Sequence, residues 1–196
     1  VQPAANGQTR QDWDGAGLPY VLVNQQGAAA QVLAGGPTGS FLRLTDTLAN
    51  NVRNDVVFTA TGDGRQDSIA VDFDFRIARR PGQTADPDGI TLALLPVSIY
   101  GLAGPGPVFG TAPDAPGVLA LHLDTNNSGS SDPNANHVQL HYNGAKLADF
   151  ADPGVTLASG DWNHARLLVE RTDGGVLVSL LLTAPGGTEV RAIDKH

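Results

Sequence analysis

Short runs of alternating apolar and polar residues recur along the chain, separated by turn-forming residues. In the clearest run, 67–79, every second residue from Ile69 to Ile77 is apolar and the residues between them are polar or small. A period of two predicts a β-strand with one buried face. Further apolar or alternating runs predict strands at 20–24, 41–45, 56–60, 90–100, 117–123, 137–142, 146–152, 161–171, 176–183 and 188–193.

Turn signals between these runs favour antiparallel pairing. Asn143-Gly144 and Asp173-Gly174-Gly175 are hairpin signals. The 24 Gly and 13 Pro residues favour many turns, and the chain shows no amphipathic helical pattern and no internal repeat. The nearly all-apolar run 90–100 predicts a central strand that is covered on both faces, whereas 27–39 and 101–116 have the composition of loops. We therefore expect an all-β antiparallel β-sandwich, with 1–196 as a single domain and 1–17 as an irregular N-terminal arm.

Composition narrows the classes of function. The net charge of -8 and the pI near 4.8 argue against binding to nucleic acid, which requires a basic surface. No run approaches the roughly 18 apolar residues of a membrane-spanning helix, so we expect no membrane insertion. The chain has no Cys, which excludes disulfides and thiol chemistry. The chain also lacks an initiator Met, and we expect an excised domain or a processed chain.

The segment 121–140 carries the candidate chemistry. An apolar strand ends at Asp124, a loop rich in Asp, Asn, Ser and Gly follows, and a second strand begins at His137. Hard cations such as Ca²⁺ bind several oxygen atoms, some from carboxylates and some from carbonyl groups. Asp124 and Asp132 bracket a loop with this composition, although the same residue types are common in loops that bind nothing.

The order of these residues resembles the metal loop of the L-type (legume-like) lectins. Asp124, Asn126 to Ser128, Asp132-Pro133 and His137-Val138 follow the family's order at nearly its spacing. Two further stretches resemble the family: 86–96 reads DPDGITLALLP, and 160–166 reads GDWNHAR. The second stretch is shared widely among concanavalin A-like sandwiches. The resemblance covers roughly 41–183 and implies a concanavalin A-like jelly roll.

The resemblance implies a calcium site. Its expected ligands are the side chains of Asp124 and Asp132, the carbonyl of Asn126, and the side chain of Asn127 or Ser128. The family's transition-metal site uses a Glu where this chain has His122, together with both Asp residues and the His. We expect calcium alone, with His137 as a hydrogen-bonding residue; the alternative is a second ion such as Mn²⁺ or Zn²⁺ with His137 as a ligand.

The resemblance also implies a sugar site. Asp88 matches the family's Asp before the central strand, and Asn126 or Asn127 matches its Asn in the metal loop. Gly104 or Gly106 would supply the backbone N–H, and Tyr100 and Phe109 are the candidates for stacking on the sugar ring. A carboxylate can accept hydrogen bonds from two adjacent sugar hydroxyls while amide groups donate to sugar oxygens.

The sequence contains no recognisable motif of a catalytic site. The paired Glu residues of related glucanases are absent, as is Gly-x-Ser-x-Gly, and the two Asp residues 72 and 74 lie on a polar strand face that we expect to be solvated. The expected function is a non-catalytic, calcium-dependent, carbohydrate-binding (lectin-like) module of a larger secreted or cell-surface protein, with glycans or polysaccharide as partners. The family also contains back-to-back homodimers. The alternative is a structural or adhesive module that calcium stabilises and that binds no sugar.

Overall fold

The computed structural model describes residues 10–15, 17, 19–46, 51–59, 65–82, 87–101 and 115–196. Within these ranges the chain is almost entirely β-structure, with every strand pair antiparallel. The strands are β1 (Tyr20–Gln26), β2 (Gln31–Gly36), β3 (Gly39–Arg43), β4 (Arg53–Phe58), β5 (Ser68–Phe75), β6 (Gly89–Leu94), β7 (Leu119–Asp124), β8 (His137–Tyr142), β9 (Ala145–Phe150), β10 (Asn163–Thr172), β11 (Gly175–Thr183) and β12 (Val190–Ile193).

Two four-stranded sheets form the body of the fold. One has the strand order β6-β7-β8-β9 and is called the site sheet below; the other has the order β12-β11-β10-β5 and is called the opposite sheet. The remaining four strands form two-stranded sheets, β1 with β4 and β2 with β3. The prediction of an all-β antiparallel sandwich is confirmed, and the jelly-roll connectivity stays a prediction.

A single apolar core joins the two four-stranded sheets. Leu121, Leu123 and Leu140 of the site sheet belong to the same buried cluster as Leu167 and Leu180 of the opposite sheet. Burying a Leu side chain stabilises a fold by about 1.5–3 kcal/mol. Because β-strand side chains alternate between faces, the polar residues between these Leu residues lie on the outer faces of the sheets.

The alternation in 67–79 predicts its strand correctly. Strand β5 covers Ser68–Phe75, its apolar residues face the core, and Asp72 and Asp74 are exposed on the other face. Both predicted hairpin turns are also present. Tyr142 pairs with Ala145 across the Asn143-Gly144 turn, and Thr172 pairs with Gly175 across Asp173-Gly174.

The predicted central strand 90–100 is wrong in its length and in its place. Strand β6 ends at Leu94, and a four-residue helix, α1 (Val97–Tyr100), follows Pro96. Proline has no N–H to continue the strand ladder, but its carbonyl accepts the N–H groups of Ile99 and Tyr100. In the described part of the sheet β6 is an edge strand, next to β7 only.

The segment 27–39, predicted to be a loop, contains strand β2. Its small residues pair with β3, with Leu33 opposite Phe41. Strand β4 begins at Arg53, three residues before the predicted start. In the described ranges α1 is the only helix, and no helix there is long and apolar enough to cross a membrane.

Candidate metal and ligand site

The candidate site lies on the outer face of the site sheet, where β7 ends and β8 begins. Alternation directs Leu121 and Leu123 into the core and places His122 and Asp124 on the other face. The strand register sets Asp124 opposite His137 and His122 opposite Gln139. All four of these outer-face residues are nevertheless buried, and buried charged or polar side chains require partners.

Three side chains converge into a set of metal-donor atoms. One ligand atom each of Asp124, Asp132 and His137 lies within 4.8 Å of the other two. His137 Nε2 is 3.6 Å from Asp124 Oδ2 and 3.8 Å from Asp132 Oδ1. Donor atoms that share an ion at about 2.0–2.4 Å are separated by roughly 3–4 Å. These three residues could hold a metal ion, as the sequence predicts for the loop.

His122 extends this set on the other side of Asp124. Its Nδ1 atom is 3.5 Å from Asp124 Oδ2, is buried, and has no hydrogen-bond partner among the described residues. A buried nitrogen without a partner is costly, and an imidazole nitrogen beside carboxylates is a donor that first-row divalent metals accept. The side chains present therefore fit a cation.

Backbone N–H groups hold the two carboxylates in place. Asn126 N–H donates to Asp124 Oδ1 at 2.8 Å, and Ser128 N–H donates to Asp132 Oδ2 at 2.8 Å. Burial acts to raise the pKa of Asp132, but the hydrogen bonding of Ser128, the charge that His137 carries when protonated, and the positive charge of Lys146 together lower it below its usual value. Asp132 is therefore ionised at neutral pH and available to a cation.

Asp88 is brought to the same place by the pairing of β6 with β7. Gly89 lies opposite Asp124, and a Cβ atom at Gly89 would be 2.1 Å from the carbonyl oxygen of Leu123. Only glycine permits this close approach, at a φ of 118°. Thr125 Oγ1 donates to the carbonyl of Pro87, and Asn126 Nδ2 donates to Asp88 Oδ1 at 3.3 Å.

One cavity of about 140 Å³ opens between these elements. Its lining residues are Arg53, Asp88, His122, Asp124, Asn126 and Ser128. The structure thus brings together the predicted sugar-binding Asp88 and four residues of the predicted metal loop or its preceding strand. Asn127 is exposed and does not line the cavity, and its Oδ1 atom accepts the N–H of Gly129 at 2.9 Å.

The predicted Gly-rich loop lies outside the described residues. Gly104, Gly106 and Phe109 fall in the range 102–114, so their predicted roles stay predictions. Tyr100 is described, at the end of α1. Its hydroxyl donates to the carbonyl of Pro116 at 3.0 Å, and its ring packs on a small apolar cluster around Val118 and Ala120. In this position it is a packing residue and does not line the cavity.

Arg53, which the sequence analysis did not predict as a site residue, reaches the cavity from β4. Its guanidinium makes no hydrogen bond or ion pair with any described residue. No sequence signal could identify it, because β4 lies far from the metal loop in the chain. It adds a positive charge to a cavity that Asp88 and Asp124 make negative.

Gln139 and His141, also missed, continue the polar face of β8. Gln139 Nε2 is 2.9 Å from His137 Nε2 and donates to Asp132 Oδ1 at 3.0 Å, while Gln139 Oε1 is 3.1 Å from His141 Nε2. Burial lowers the pKa of His141, and the positive charges of His122 and Lys146 reinforce this effect against Asp149 and Asp124. The alternation of 137–142 could have identified both residues.

A second polar cluster lies on the outer face of the opposite sheet. His164 Nδ1 is 2.9 Å from Asp74 Oδ1, and Arg166 Nε donates to Asp72 Oδ1 at 2.6 Å. The hydrogen bond from Arg166 to Asp72 raises the pKa of Arg166. The four side chains are at least a third exposed, so these are surface ion pairs of small energetic value.

A larger depression of about 320 Å³ lies beside the end of the loop between β7 and β8, with Arg79, Asn134 and Asn136 among its lining residues. Asn134 Nδ2 donates to the carbonyl of Ala151, and Asn136 Nδ2 donates to the carbonyl of Val155. These two amides anchor the end of the loop to the segment after β9.

Comparison with known proteins adds no relative: no protein-family model matches the chain, and no curated protein matches it.

Proposed function

We propose that this chain is a calcium-dependent, carbohydrate-binding, lectin-like module without catalytic activity. The observation that carries the proposal is the shared cavity of Asp88 and Asp124. One carboxylate belongs to a buried set of metal donors, the other is exposed at the rim, and Asn126 contacts both. A cation held by the loop would fix the Asn126 side chain and the rim before a ligand arrives, which lowers the ordering cost of binding.

The proposed ion is Ca²⁺, held by oxygen atoms of Asp124, Asp132 and the loop between them. Two carboxylates with carbonyl and hydroxyl groups nearby form the oxygen-rich set that Ca²⁺ prefers. The second candidate is a transition-metal ion on the imidazole side, which is favoured by the unpartnered Nδ1 atom of His122 and by the position of His137 Nε2. Calcium supplies positive charge to the loop; the protein residues hold and orient the ligand.

Asp88 is the proposed sugar-binding carboxylate. It is exposed, lies at the cavity, and retains lone pairs beyond the one that accepts Asn126 Nδ2. An ionised carboxylate only accepts hydrogen bonds, so neighbouring sugar hydroxyls are suitable donors. We place this activity outside the cell, on a secreted or cell-surface protein, because calcium sites with dissociation constants of about 10⁻⁴–10⁻³ M are typical of extracellular modules.

The test is a glycan array probed in calcium and again in excess chelator. We expect binding to one class of glycan in calcium and none in chelator. Asp88→Ala should abolish binding and leave the melting temperature unchanged, while Asp161→Ala, which removes an exposed carboxylate beside the opposite sheet, should bind as the wild type does. Binding that persists in chelator, or that survives Asp88→Ala, would contradict the proposed site.

A structural or adhesive module that calcium stabilises is the second candidate. The absence of aromatic residues from the cavity lining in the described part of the chain favours it, because sugar rings are commonly held by an aromatic face. This candidate predicts that calcium raises the melting temperature while the array shows no binding in either buffer.

A further inference from the structure

The side chain of Gln139 lies where a cation held by His137 and Asp132 would have to bind. Its Nε2 atom is 2.9 Å from His137 Nε2 and 3.0 Å from Asp132 Oδ1, two of the three donor atoms of the candidate metal set. Gln139 is only 6 % exposed, so its amide cannot turn outward into solvent without leaving the face of β8. An N–H group that donates to these two lone pairs competes with any cation for them.

Reversal of the carboxamide would remove this competition. The two ends of a Gln amide have nearly the same size and shape, so a turn of the group exchanges Nε2 and Oε1 with little change in packing. An amide oxygen in the present position of Nε2 would face Asp132 Oδ1 at about the same 3.0 Å. Two oxygen atoms at this separation repel each other unless a cation lies between them, whereas the nitrogen end is suited to the metal-free protein.

His141 can accept either orientation of the amide. In the present arrangement Gln139 Oε1 accepts from His141 Nε2, at 3.1 Å, and the imidazole carries its proton on Nε2. After reversal the amide nitrogen would donate to the same His141 Nε2 atom, and the proton would be carried on Nδ1. Neutral imidazole has one donor nitrogen and one acceptor nitrogen, so both arrangements keep this hydrogen bond.

We propose that Gln139 is a further ligand of the bound cation and that its carboxamide reverses on metal binding, with His141 changing from the Nε2–H to the Nδ1–H tautomer. This inference rests on the proposed metal site. The ion then has two carboxylates, one imidazole and a neutral amide oxygen as available ligands. The added amide oxygen makes this set more suitable for Ca²⁺ or Mn²⁺ than the two carboxylates and the imidazole alone.

The test uses the whole chain, with imidazole ¹⁵N NMR at pH 8, above the ordinary imidazole pKa of about 6.5. His141 should be the Nε2–H tautomer in chelator and the Nδ1–H tautomer at saturation with CaCl₂ or, in a second titration, ZnCl₂. Both ions are diamagnetic, so the tautomer can be assigned directly. A His141 that remains Nε2–H when the site is saturated would overturn the proposal.

Calorimetric titration with the same two salts tests the ligand itself. Gln139→Leu should lower metal affinity about 10- to 100-fold, the range typical for residues that support a metal site. Gln139→Glu, which keeps an oxygen donor, should bind at least as tightly as the wild type, and it serves if the Leu variant does not fold. Gln31→Leu, on the exposed strand β2, is the matched control and should bind as the wild type does.

The outcomes separate this inference from the proposed function. A wild-type protein that binds neither ion would overturn both. A wild-type protein that binds calcium while Gln139→Leu binds it equally well would overturn the role of Gln139 alone and leave the proposed calcium site intact.

Discussion

The carboxylates of Asp124 and Asp132 make a quantitative prediction for the variant Asp124→Asn. Their ligand atoms lie within 4.8 Å of each other. Two negative charges at this separation repel by about 0.9 kcal/mol in a water-like medium and by about 3.5 kcal/mol at an effective dielectric constant of 20. Both side chains are largely buried, which favours the larger value, but Ser128, His137 and Lys146 lower the pKa of Asp132, so the net repulsion in the metal-free protein lies between these two values.

Replacement of Asp124 by Asn removes this repulsion and keeps the size and shape of the side chain. The Asn oxygen can still accept the N–H of Asn126, now 2.8 Å from Asp124 Oδ1, although a neutral acceptor makes this bond weaker by about 1 kcal/mol. We therefore expect the metal-free variant to be more stable than the wild type by about 1–2 kcal/mol. For a chain of this length each kcal/mol corresponds to about 2–4 °C in melting temperature.

Calcium should reverse the order of stability. An ion present at 100 times its dissociation constant stabilises the folded wild type by about 2.7 kcal/mol, and the variant, which lacks one of the two carboxylates, should gain almost nothing. Differential scanning calorimetry in chelator and in calcium measures both effects. Asp161→Asn is the control for loss of an exposed charge and should follow the wild type in both buffers.

Two results would refute this reasoning. If the metal-free Asp124→Asn variant is less stable than the wild type by more than 1 kcal/mol, the carboxylates do not repel as the geometry indicates. If calcium raises its melting temperature as much as that of the wild type, Asp124 is not a ligand.

Three further predictions test the fold and its titrating groups. Leu180→Ala should lower the free energy of unfolding by about 3–5 kcal/mol because Leu180 is fully buried between the sheets, while Leu147→Ala, at a side chain that is 53 % exposed, should change it by less than about 1 kcal/mol; urea unfolding measures both. Burial raises the pKa of Asp55 despite the hydrogen bond from Gln25, so the Asp55 carboxyl binds a proton more tightly in the folded protein than in the unfolded chain. Stability is therefore lost as the pH rises from 3.8 through the raised pKa, and Asp55→Asn should be more stable than the wild type at pH 7, with the difference shrinking towards pH 3; equal pH profiles would contradict this. Gly144→Ala should lower stability by about 1 kcal/mol because Gly144 has a φ of 78° in the turn between β8 and β9, and a thermal melt with an unchanged midpoint would exclude strain at that position.

Local patterns predicted the parts of the fold that depend on neighbouring residues. The period of two in β5 follows from burial of one face, and the Asn143-Gly144 turn follows from the positive φ angles of 53° and 78° that those residues tolerate. The grouping of candidate metal donors around one loop was predictable for the same reason. Asp124, Asp132 and His137 are separated by only a few positions, and the strand–loop–strand pattern around them is complete in one short segment.

Features that depend on distant segments were not predictable. Arg53 comes to the cavity from β4, and its place depends on how a two-stranded sheet lies against the site. Asp149 comes within 4.0 Å of His137 from β9 through a pairing that includes a register shift after Leu140. The break after Leu94 was visible as Pro96, but the apolar residues beyond it hid the change from strand to helix.

The order of the strands in the two four-stranded sheets has a consequence for how the chain folds. In the site sheet β6, β7, β8 and β9 pair in the order in which they are made, whereas in the opposite sheet Asp72 meets Arg166, 94 positions later. Closing the longer loop costs more chain entropy. The segment that holds the metal donors can therefore assemble before the opposite sheet closes, and an ion bound at that stage would guide folding as well as stabilise its product. Pulse-labelled hydrogen exchange should show amides of β7 and β8 protected before those of β5, and earlier in calcium than in chelator.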